Sequence, residues 1–436
     1  MSSKKNKKKP IKASQPSIRL SQCMIVKNEE KNIEKALGWA KNIAFEQIVV
    51  DTGSTDRTVE IAERLGATVF HFEWIDDFAA AKNYAIEQAS GDWIAFLDAD
   101  EYLSPTDAKK LAALLRKINA DSVRRDRCMG ISCAVVNIDD EGKPIGLIPQ
   151  IRFFRAVPEL RYVGKIHEGL PIAAENVERL DDISIIHTGY SETAFRETGK
   201  SVRNVELLRK AIAESPGDYN LLAYLGEALL GLDDEGSLAE AESLFFDVIG
   251  EGSNAAPEFR KKAFSHLLEA RLESGDFEGS LELGRRAVSV FPEDVDLAYY
   301  LGFTFNKLKL FREAFDVLLV SESSFVASSA VDVSVRISAE PWLLFTQLAA
   351  AAQGLGDVAS LVKYAAMSLS FDKSQAGILA VYIATLVRSG VSDDEIVMLL
   401  GRIYNLRDSQ DLLLIVNAAS KYGAASLANR FAGMIN

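Results

Sequence analysis

Four short apolar runs alternate with segments of helical periodicity over residues 18–98, and this pattern restricts the fold more than any other feature. It predicts a parallel sheet whose strands are joined by right-handed helical crossovers. Ligands of such sheets bind beyond the carboxyl ends of the strands, so polar residues at those ends are candidates for a site. The predicted strands cover residues 20–26, 47–51, 67–72 and 93–98.

The pattern changes after the fourth strand. Ser104 and Pro105 predict the start of a helix, and residues 128–190 contain strand-like runs separated by loops. After about residue 196 only helices are predicted, and the segment 216–232 matches the segment 292–308 at an offset of 76 residues. That offset equals two units of 38 residues, which predicts stacked pairs of helices that form a solenoid.

Charge and cysteine content restrict the partners and the compartment. The chain has a formal charge of −13, and removing the six lysines of residues 1–17 leaves −19, which argues against nucleic acid as a partner. No apolar run approaches the roughly 18 residues of a transmembrane segment, and the three cysteines fit a reducing cytoplasm. We expect a cytoplasmic protein with a disordered basic tail (1–17), an α/β domain (18–195) and a helical-repeat domain (196–436).

A group of acids ends the fourth predicted strand, where Asp98, Asp100 and Glu101 follow an apolar run. An Asp-x-Asp pattern is a weak signal by itself, and the chain contains a second copy at Asp294 and Asp296. The second copy lies at a predicted helix start, where an acid caps the helix. The first copy ends a buried strand that needs no cap, so a positively charged ligand such as a divalent cation is indicated.

An ordered set of segments resembles the nucleotide-sugar domain of family 2 glycosyltransferases. The segments are MIVKNEEKNIEKAL, IVVDTGSTDRTVEIA and FEWIDDFAAAKNYAIEQASGDWIAFLDADEYL. The resemblance covers residues 18–195 and implies a GT-A-like α/β fold that transfers sugar, with inversion, from a nucleotide-diphosphate sugar. The later segments GKIHEGLP and IIHTGY, followed by tetratricopeptide-like (TPR-like) repeats, are similar to those of bacterial peptide glycosyltransferases. This implies a peptide or protein acceptor held by the repeats.

The resemblance also implies roles for individual residues. Asp100 is expected to bind Mn²⁺ or Mg²⁺, and Asp98 to bind the ribose, a metal-bound water or the metal itself. Asp51 would accept a hydrogen bond from the nucleotide base, with a uridine diphosphate sugar as the expected donor. The other nucleotide contacts would come from Asn28, Glu29, Lys82 and Asn83. From the residues alone, Asp51 could instead cap the turn at 52–56, and Lys82 could be solvated.

Three residues further along the chain are candidates for the chemistry on the acceptor side. An inverting transfer needs a general base opposite the leaving group, and Glu168 is the candidate for that base. His167 or His187 would supply a third metal ligand, and His167 is also grouped with the catalytic residues. Histidines in strand-rich segments are more often structural, which remains the alternative.

Several alternatives remain open at this point. Arg152, Arg155 and Arg161 could clamp a diphosphate or the acceptor, or could be solvated. The repeats could also pair two copies of the chain as a homodimer. Two other functions compete with peptide glycosylation: transfer to an envelope glycan, and an inactive domain that serves only as a repeat-based scaffold.

Overall fold

The computed structural model describes residues 18–189, 200–327, 336–421 and 423–435. The chain separates into two compact units, residues 1–211 and 212–436. The predicted basic tail and the predicted domain boundary at 195/196 lie outside the described residues, so the domain limits stay a prediction. Across the described ranges, none of the helices has both the length and the apolar character that crossing a membrane requires.

The first half of unit 1 is a parallel sheet. Strands β1 (Leu20–Val26), β2 (Glu46–Asp51), β3 (Thr68–His71) and β4 (Trp93–Phe96) pair in the order β3-β2-β1-β4. Helices α1 (Ile33–Gly38) and α2 (Thr58–Arg64) pack on one face, and α3 (Phe78–Glu87) packs on the other. Because both faces are covered, every residue of β4 is buried, and the predicted parallel sheet is confirmed.

The second half of unit 1 extends this sheet with strands of mixed direction. Its elements are β5 (Glu101–Leu103), α4 (Pro105–Ala120), α5 (Ser122–Arg127), β6 (Gly130–Ile138), β7 (Pro144–Arg155) and β8 (Val177–His187). Strand β7 runs antiparallel to β4, and the eight-stranded order is β3-β2-β1-β4-β7-β6-β8-β5. Within the region 128–190, where strand-like runs were predicted, residues 161–169 form only a single bridge between Val163 and Gly169. The predicted α/β fold class is confirmed by this curled mixed sheet followed by helices.

The three cysteines lie inside this unit. Cys23, Cys128 and Cys133 are buried and form no disulfide with one another. Burial raises the pKa of Cys133 to about 12, so its thiol stays protonated and behaves as a small apolar group. All three cysteines therefore belong to the core of this unit.

Helices form the described part of the chain beyond residue 200. They are α6 (Lys200–Glu214), α7 (Tyr219–Leu230), α8 (Glu235–Ile249), α9 (Pro257–Ser274), α10 (Phe277–Val290), α11 (Val295–Lys307), α12 (Phe311–Ala327), α13 (Arg336–Ala339), α14 (Trp342–Leu355), α15 (Val358–Phe371), α16 (Ala376–Arg388), α17 (Asp393–Leu400), α18 (Ser409–Lys421) and α19 (Ala425–Ala432). Four successive pairs, from α7/α8 to α14/α15, are the predicted repeats. The matching segments at 216–232 and 292–308 contain α7 and α11.

Equivalent residues of the two matching segments have the same structural role. The side chains of Asp218 and Asp294 cap α7 and α11 by accepting from backbone N–H groups. A Cβ atom on Gly226 would lie 2.6 Å from a ring carbon of Phe245, and one on Gly302 would overlap Leu318. Glycine is therefore required where the two helices of a pair approach closely. The second Asp-x-Asp copy is a helix cap, as predicted.

Candidate active site

The strand ends carry the first group of predicted site residues. Asp51 is the last residue of β2, and its buried carboxylate accepts from the backbone N–H groups of Gly53 and Ser54, at 3.2 and 3.0 Å. The imidazole of His71, at the end of neighbouring β3, lies 3.5 Å from the same carboxylate and is largely exposed. Asp51 thus caps its turn, as the alternative interpretation held, and the contact with the nucleotide base stays a prediction.

A largely buried group of charges lies beyond the end of β4, and its most exposed member is the side chain of Asp98, at 38%. We call Lys82, Asp98, Glu101, Arg152 and Glu168 the ionic cluster. The Lys82 ammonium, on α3, lies 3.3 Å from Asp98 and 2.7 Å from Glu168. The Arg152 guanidinium, on β7, lies 3.0 Å from Asp98 and 2.5 Å from Glu101. Asp98 therefore faces two cations, and Lys82 links it to the candidate base.

The charges of the ionic cluster support one another against the cost of burial. Burial alone would lower the pKa of Lys82, but Asp98 and Glu168 outweigh it and the pKa is raised. Burial would likewise raise the pKa of Asp98, but Lys82 and Arg152 hold it well below its usual range. For Glu101, burial prevails over Arg152 and its pKa is raised. Lys82 and Asp98 are accordingly charged at neutral pH, and Lys82 is not solvated.

Asp100 and His187 meet because β5 pairs with β8. Residue Glu101 lies opposite His187 in that antiparallel pair, and His187 Nε2 is 3.1 Å from Asp100 Oδ2. The other ring nitrogen lies 2.7 Å from the side-chain oxygen of Asn137 on β6. Burial would lower the pKa of His187, but the hydrogen bond and the charge of Asp100 raise it. The pairing joins two of the predicted metal ligands.

A glycine packs closely against this pair. A Cβ atom on Gly189 would overlap Asp100 Oδ2 and lie 2.7 Å from His187 Nε2. Within residues that the structure describes, no group of three or more His, Cys, Asp or Glu side chains is arranged to hold a metal ion. One carboxylate and one imidazole fit Mn²⁺ or Mg²⁺ only as part of a shell that substrate phosphates complete. The pair is therefore suited to a cation that arrives with a diphosphate.

The remaining predicted residues shape the loops around the cluster. Asn28 has a left-handed backbone (φ 58°), and its side-chain oxygen accepts from the backbone of Thr55 at 2.8 Å. Glu29 accepts from the side chain of Asn32. The side-chain N–H of Asn83 donates to the Tyr162 carbonyl at 2.9 Å, and its side-chain oxygen accepts from the Tyr162 N–H at 2.8 Å. The nucleotide contacts predicted for these three residues remain predictions.

His167 and Glu168 belong to the loop that Asn83 holds. The backbone of His167 is left-handed, with φ 54°, and the Phe78 N–H at the start of α3 donates to the Lys165 carbonyl at 2.8 Å. This geometry directs the side chain of Glu168 toward Lys82 in the ionic cluster, where the side chain is largely buried. The roles predicted for both residues remain predictions, although Glu168 lies close to Lys82.

Three residues that complete the site were not assigned to it from the sequence. The sequence allows Arg152 to be either a clamp or a solvated side chain. Arg152 is buried against Asp98 and Glu101, so the solvated alternative is wrong. Its position inside the apolar run IRFFR was the available signal, because a buried arginine needs acidic partners. Asn137 and Tyr162 carry no such signal, since their contacts depend on strand pairing distant in sequence.

Comparisons with known proteins place this geometry in context. The family model described as glycosyl transferase family 2 matches residues 21–129. A TPR repeat-containing protein of Synechococcus elongatus is 30% identical over 303 residues, 67% of this chain and 71% of that protein. The SPbeta prophage-derived glycosyltransferase SunS of Bacillus subtilis is 29% identical over 221 residues, 49% of each chain, so the match spans about half of that enzyme. The crystal structure of S. aureus TarS 1–349 aligns with a TM-score of 0.33 at 16% identity, covering 71% of this chain and 92% of that one, which is too low to carry an argument.

Proposed function

Because this chain belongs to the family 2 glycosyltransferases and carries TPR-like repeats, we propose that it transfers a sugar, with inversion, from a nucleotide-diphosphate sugar to a peptide or protein side chain. The observation that carries this proposal is the convergence of Asp98, Asp100 and Glu168 beyond the end of β4. Lys82 contacts both Asp98 and Glu168, and Asp100 contacts His187. This edge of the sheet is where ligands of parallel α/β folds bind.

We assign the cation to Asp100 and His187, which lie side by side against Gly189. A bound divalent cation would neutralise the charge that develops on the departing nucleoside diphosphate. Both oxygens of Asp98 already face cations, so its contact with ribose or a metal-bound water would use the remaining lone pairs. We assign the general base to Glu168, which its short ion pair with Lys82 holds in one orientation.

The enzyme assay that tests the proposal separates it from its two rivals. The purified chain is incubated with Mn²⁺, a panel of nucleotide sugars and either peptide or saccharide acceptors. The proposal expects slow release of nucleoside diphosphate from one donor and faster release when a peptide is added. Stimulation by a saccharide alone would favour an envelope glycan acceptor. Neither binding nor hydrolysis of any donor would favour the inactive scaffold.

Nucleotide binding is expected to depend on the charge of Asp51. Asp51→Ala should weaken binding of the nucleoside diphosphate by about 1.5–3 kcal/mol, because a charge-assisted hydrogen bond to the base is lost. Isothermal titration calorimetry measures this directly. Asp51→Asn keeps an oxygen for the N–H groups of Gly53 and Ser54, so it distinguishes loss of charge from loss of the turn. Unchanged affinity in both variants would leave Asp51 with its capping role alone.

For the acceptor, we propose that the repeats hold a basic polypeptide. Helical-repeat arrays offer extended surfaces suited to polypeptides. Residues 212–259, which include α7 and α8, contain 11 acids and no lysine or arginine. Asp247 and Glu251, at the end of α8 and in the turn after it, are both exposed. A segment with such an excess of negative charge favours a positively charged partner.

Charge reversal tests this assignment in the full chain. Asp247→Lys combined with Glu251→Lys should raise the acceptor KM about 3–10-fold, because two surface attractions become repulsions. Donor hydrolysis should not change, and added salt should reduce the difference. Glu313→Lys combined with Asp316→Lys is the matched control on exposed positions of α12. An equal effect of both double variants would contradict a specific acceptor surface.

We also propose a cytoplasmic setting and a homodimer. The setting is supported by the three buried cysteines that form no disulfide with one another, as expected in a reducing compartment. The homodimer is proposed because helical-repeat arrays offer extended surfaces on which a second copy of the chain can bind. Sedimentation analysis of the purified chain would measure its oligomeric state directly.

A further inference from the structure

The hydroxyl of Tyr162 is a buried polar group that the proposed mechanism does not use. The residue is 6% exposed, and its ring packs edge-on against Phe96 and Phe154, with centroids 5.4 and 5.9 Å away. Its hydroxyl oxygen has no hydrogen-bonding partner among the described residues. A buried tyrosine hydroxyl usually has a partner, since leaving it unpaired is unfavourable.

A second unpaired donor belongs to the same region. Arg152 is 9% exposed, and its Nε has no partner in the described part of the chain, although Nη2 binds Asp98 and Glu101. Tyr162 adjoins the ionic cluster, because the Lys82 ammonium lies 5.2 Å from the centre of its ring. Two buried donors without partners beside one cluster make this place a candidate for an oxygen supplied from outside the protein.

The charges around Tyr162 restrict what this oxygen belongs to. Both cations of the ionic cluster, Lys82 and Arg152, already pair with its carboxylates, so little positive charge remains to hold a phosphate at this position. Burial raises the pKa of Tyr162 to about 12, so the hydroxyl keeps its proton at neutral pH and can both donate and accept. A neutral hydroxyl has the same two capacities and is the matching ligand.

The position of the cluster identifies the molecule that carries this hydroxyl. In the proposed function the diphosphate lies at Asp100 and His187, and the base is Glu168. The donor sugar must lie between the leaving diphosphate and the base. Lys82 lies in this region, because it contacts both Glu168 and Asp98, which is two residues before Asp100. Tyr162 lies beside Lys82.

We propose that the Tyr162 hydroxyl, together with Nε of Arg152, binds a hydroxyl group of the donor sugar and so selects among nucleotide sugars. This inference rests on the proposed function and adds a specificity-determining residue to it. A sugar that offers no hydroxyl at this point leaves both donors buried and unpaired, which is the physical basis of strong selection by hydrogen bonding.

Tyr162→Phe tests the inference because it keeps the ring and removes only the hydroxyl. Without ligand, the variant should unfold at the wild-type temperature or above it, since an unpaired buried group is removed. Its affinity for the nucleoside diphosphate should not change, whereas its affinity for the preferred nucleotide sugar should fall about tenfold. Tyr404→Phe is the matched control: that hydroxyl donates to the Lys373 carbonyl at 2.8 Å, so its loss should lower the unfolding temperature and leave donor binding unchanged.

A thermodynamic cycle that combines deoxy sugars with Tyr162→Phe identifies the sugar hydroxyl that contacts Tyr162. Donors that each lack one sugar hydroxyl are titrated into the wild type and into Tyr162→Phe. The hydroxyl that contacts Tyr162 is the one whose removal weakens binding to the wild type but not to the variant. Equal affinities of both proteins for every nucleotide sugar would overturn this inference, and so would a lower unfolding temperature of the ligand-free variant. A wild type that binds no nucleotide sugar would overturn the proposed function itself, and this inference with it.

Discussion

Asp100→Ala is expected to abolish metal-dependent sugar transfer and donor hydrolysis while the protein remains folded. The Asp100 side chain pairs with His187 at the end of the sheet, so its removal takes charge from a polar site and no apolar volume from the core. Loss of one carboxylate that holds the metal should reduce turnover on the order of 10³-fold, as removal of a preorganised group does elsewhere. Release of nucleoside diphosphate at saturating Mn²⁺ and the unfolding temperature are the two measurements.

The second Asp-x-Asp copy provides the matched control. Asp294→Ala removes the cap of α11, whose carboxylate accepts from the Leu297 N–H at 3.1 Å. This should lower stability by about 0.5–2 kcal/mol and leave turnover unchanged. The two variants are thus expected to have opposite effects, although the local sequences are alike. Normal turnover of Asp100→Ala in Mn²⁺ would show that the metal assignment is wrong.

The two copies also show how far the sequence predicts the site. The ends of β2 and β4 could be placed from the period of the apolar runs, and this puts Asp51 and Asp98 at one edge of the sheet. Strand β5 could not be predicted, because three residues carry too little pattern. Its pairing with β8 brings Asp100 to His187 across 87 positions of sequence. The proposed metal pair therefore depends on a contact that local reasoning does not reach.

The ionic cluster illustrates the same limit. Lys82, Asp98 and Glu168 were each named from the sequence, but as residues with separate tasks. The structure joins them directly, because Lys82 contacts both carboxylates. It also places Arg152 of β7 beside Asp98, and Arg152 was missing from the predicted site. The choice between a solvated and a buried Lys82 depends on this tertiary packing, since burying a lysine is favourable only when carboxylates surround it. The repeats were easier to predict, because helix caps and close-packing glycines are local and recur with the period.

Glu168→Gln is expected to reduce transfer to the acceptor by about 10²–10⁴-fold, the usual contribution of a general base. Glutamine keeps the size of the side chain and an oxygen toward Lys82, but it cannot take a proton. Lys82 retains Asp98 at 3.3 Å, so its charge stays paired and the fold should persist. The affinity for the nucleotide sugar should change little, because the missing function acts only in the transition state. Single-turnover rates and donor titrations measure the two quantities separately.

His167 is the rival that this experiment must exclude, since it precedes Glu168 in the same loop. Its left-handed backbone is tolerated well by asparagine, so His167→Asn removes the imidazole without straining the chain. If Glu168 is the base, His167→Asn should retain most of the transfer rate while Glu168→Gln loses it. The reverse result would give the role to His167. If both variants transfer at the wild-type rate, the proton must leave the acceptor by another route, because neither side chain of this loop would then be required in the step.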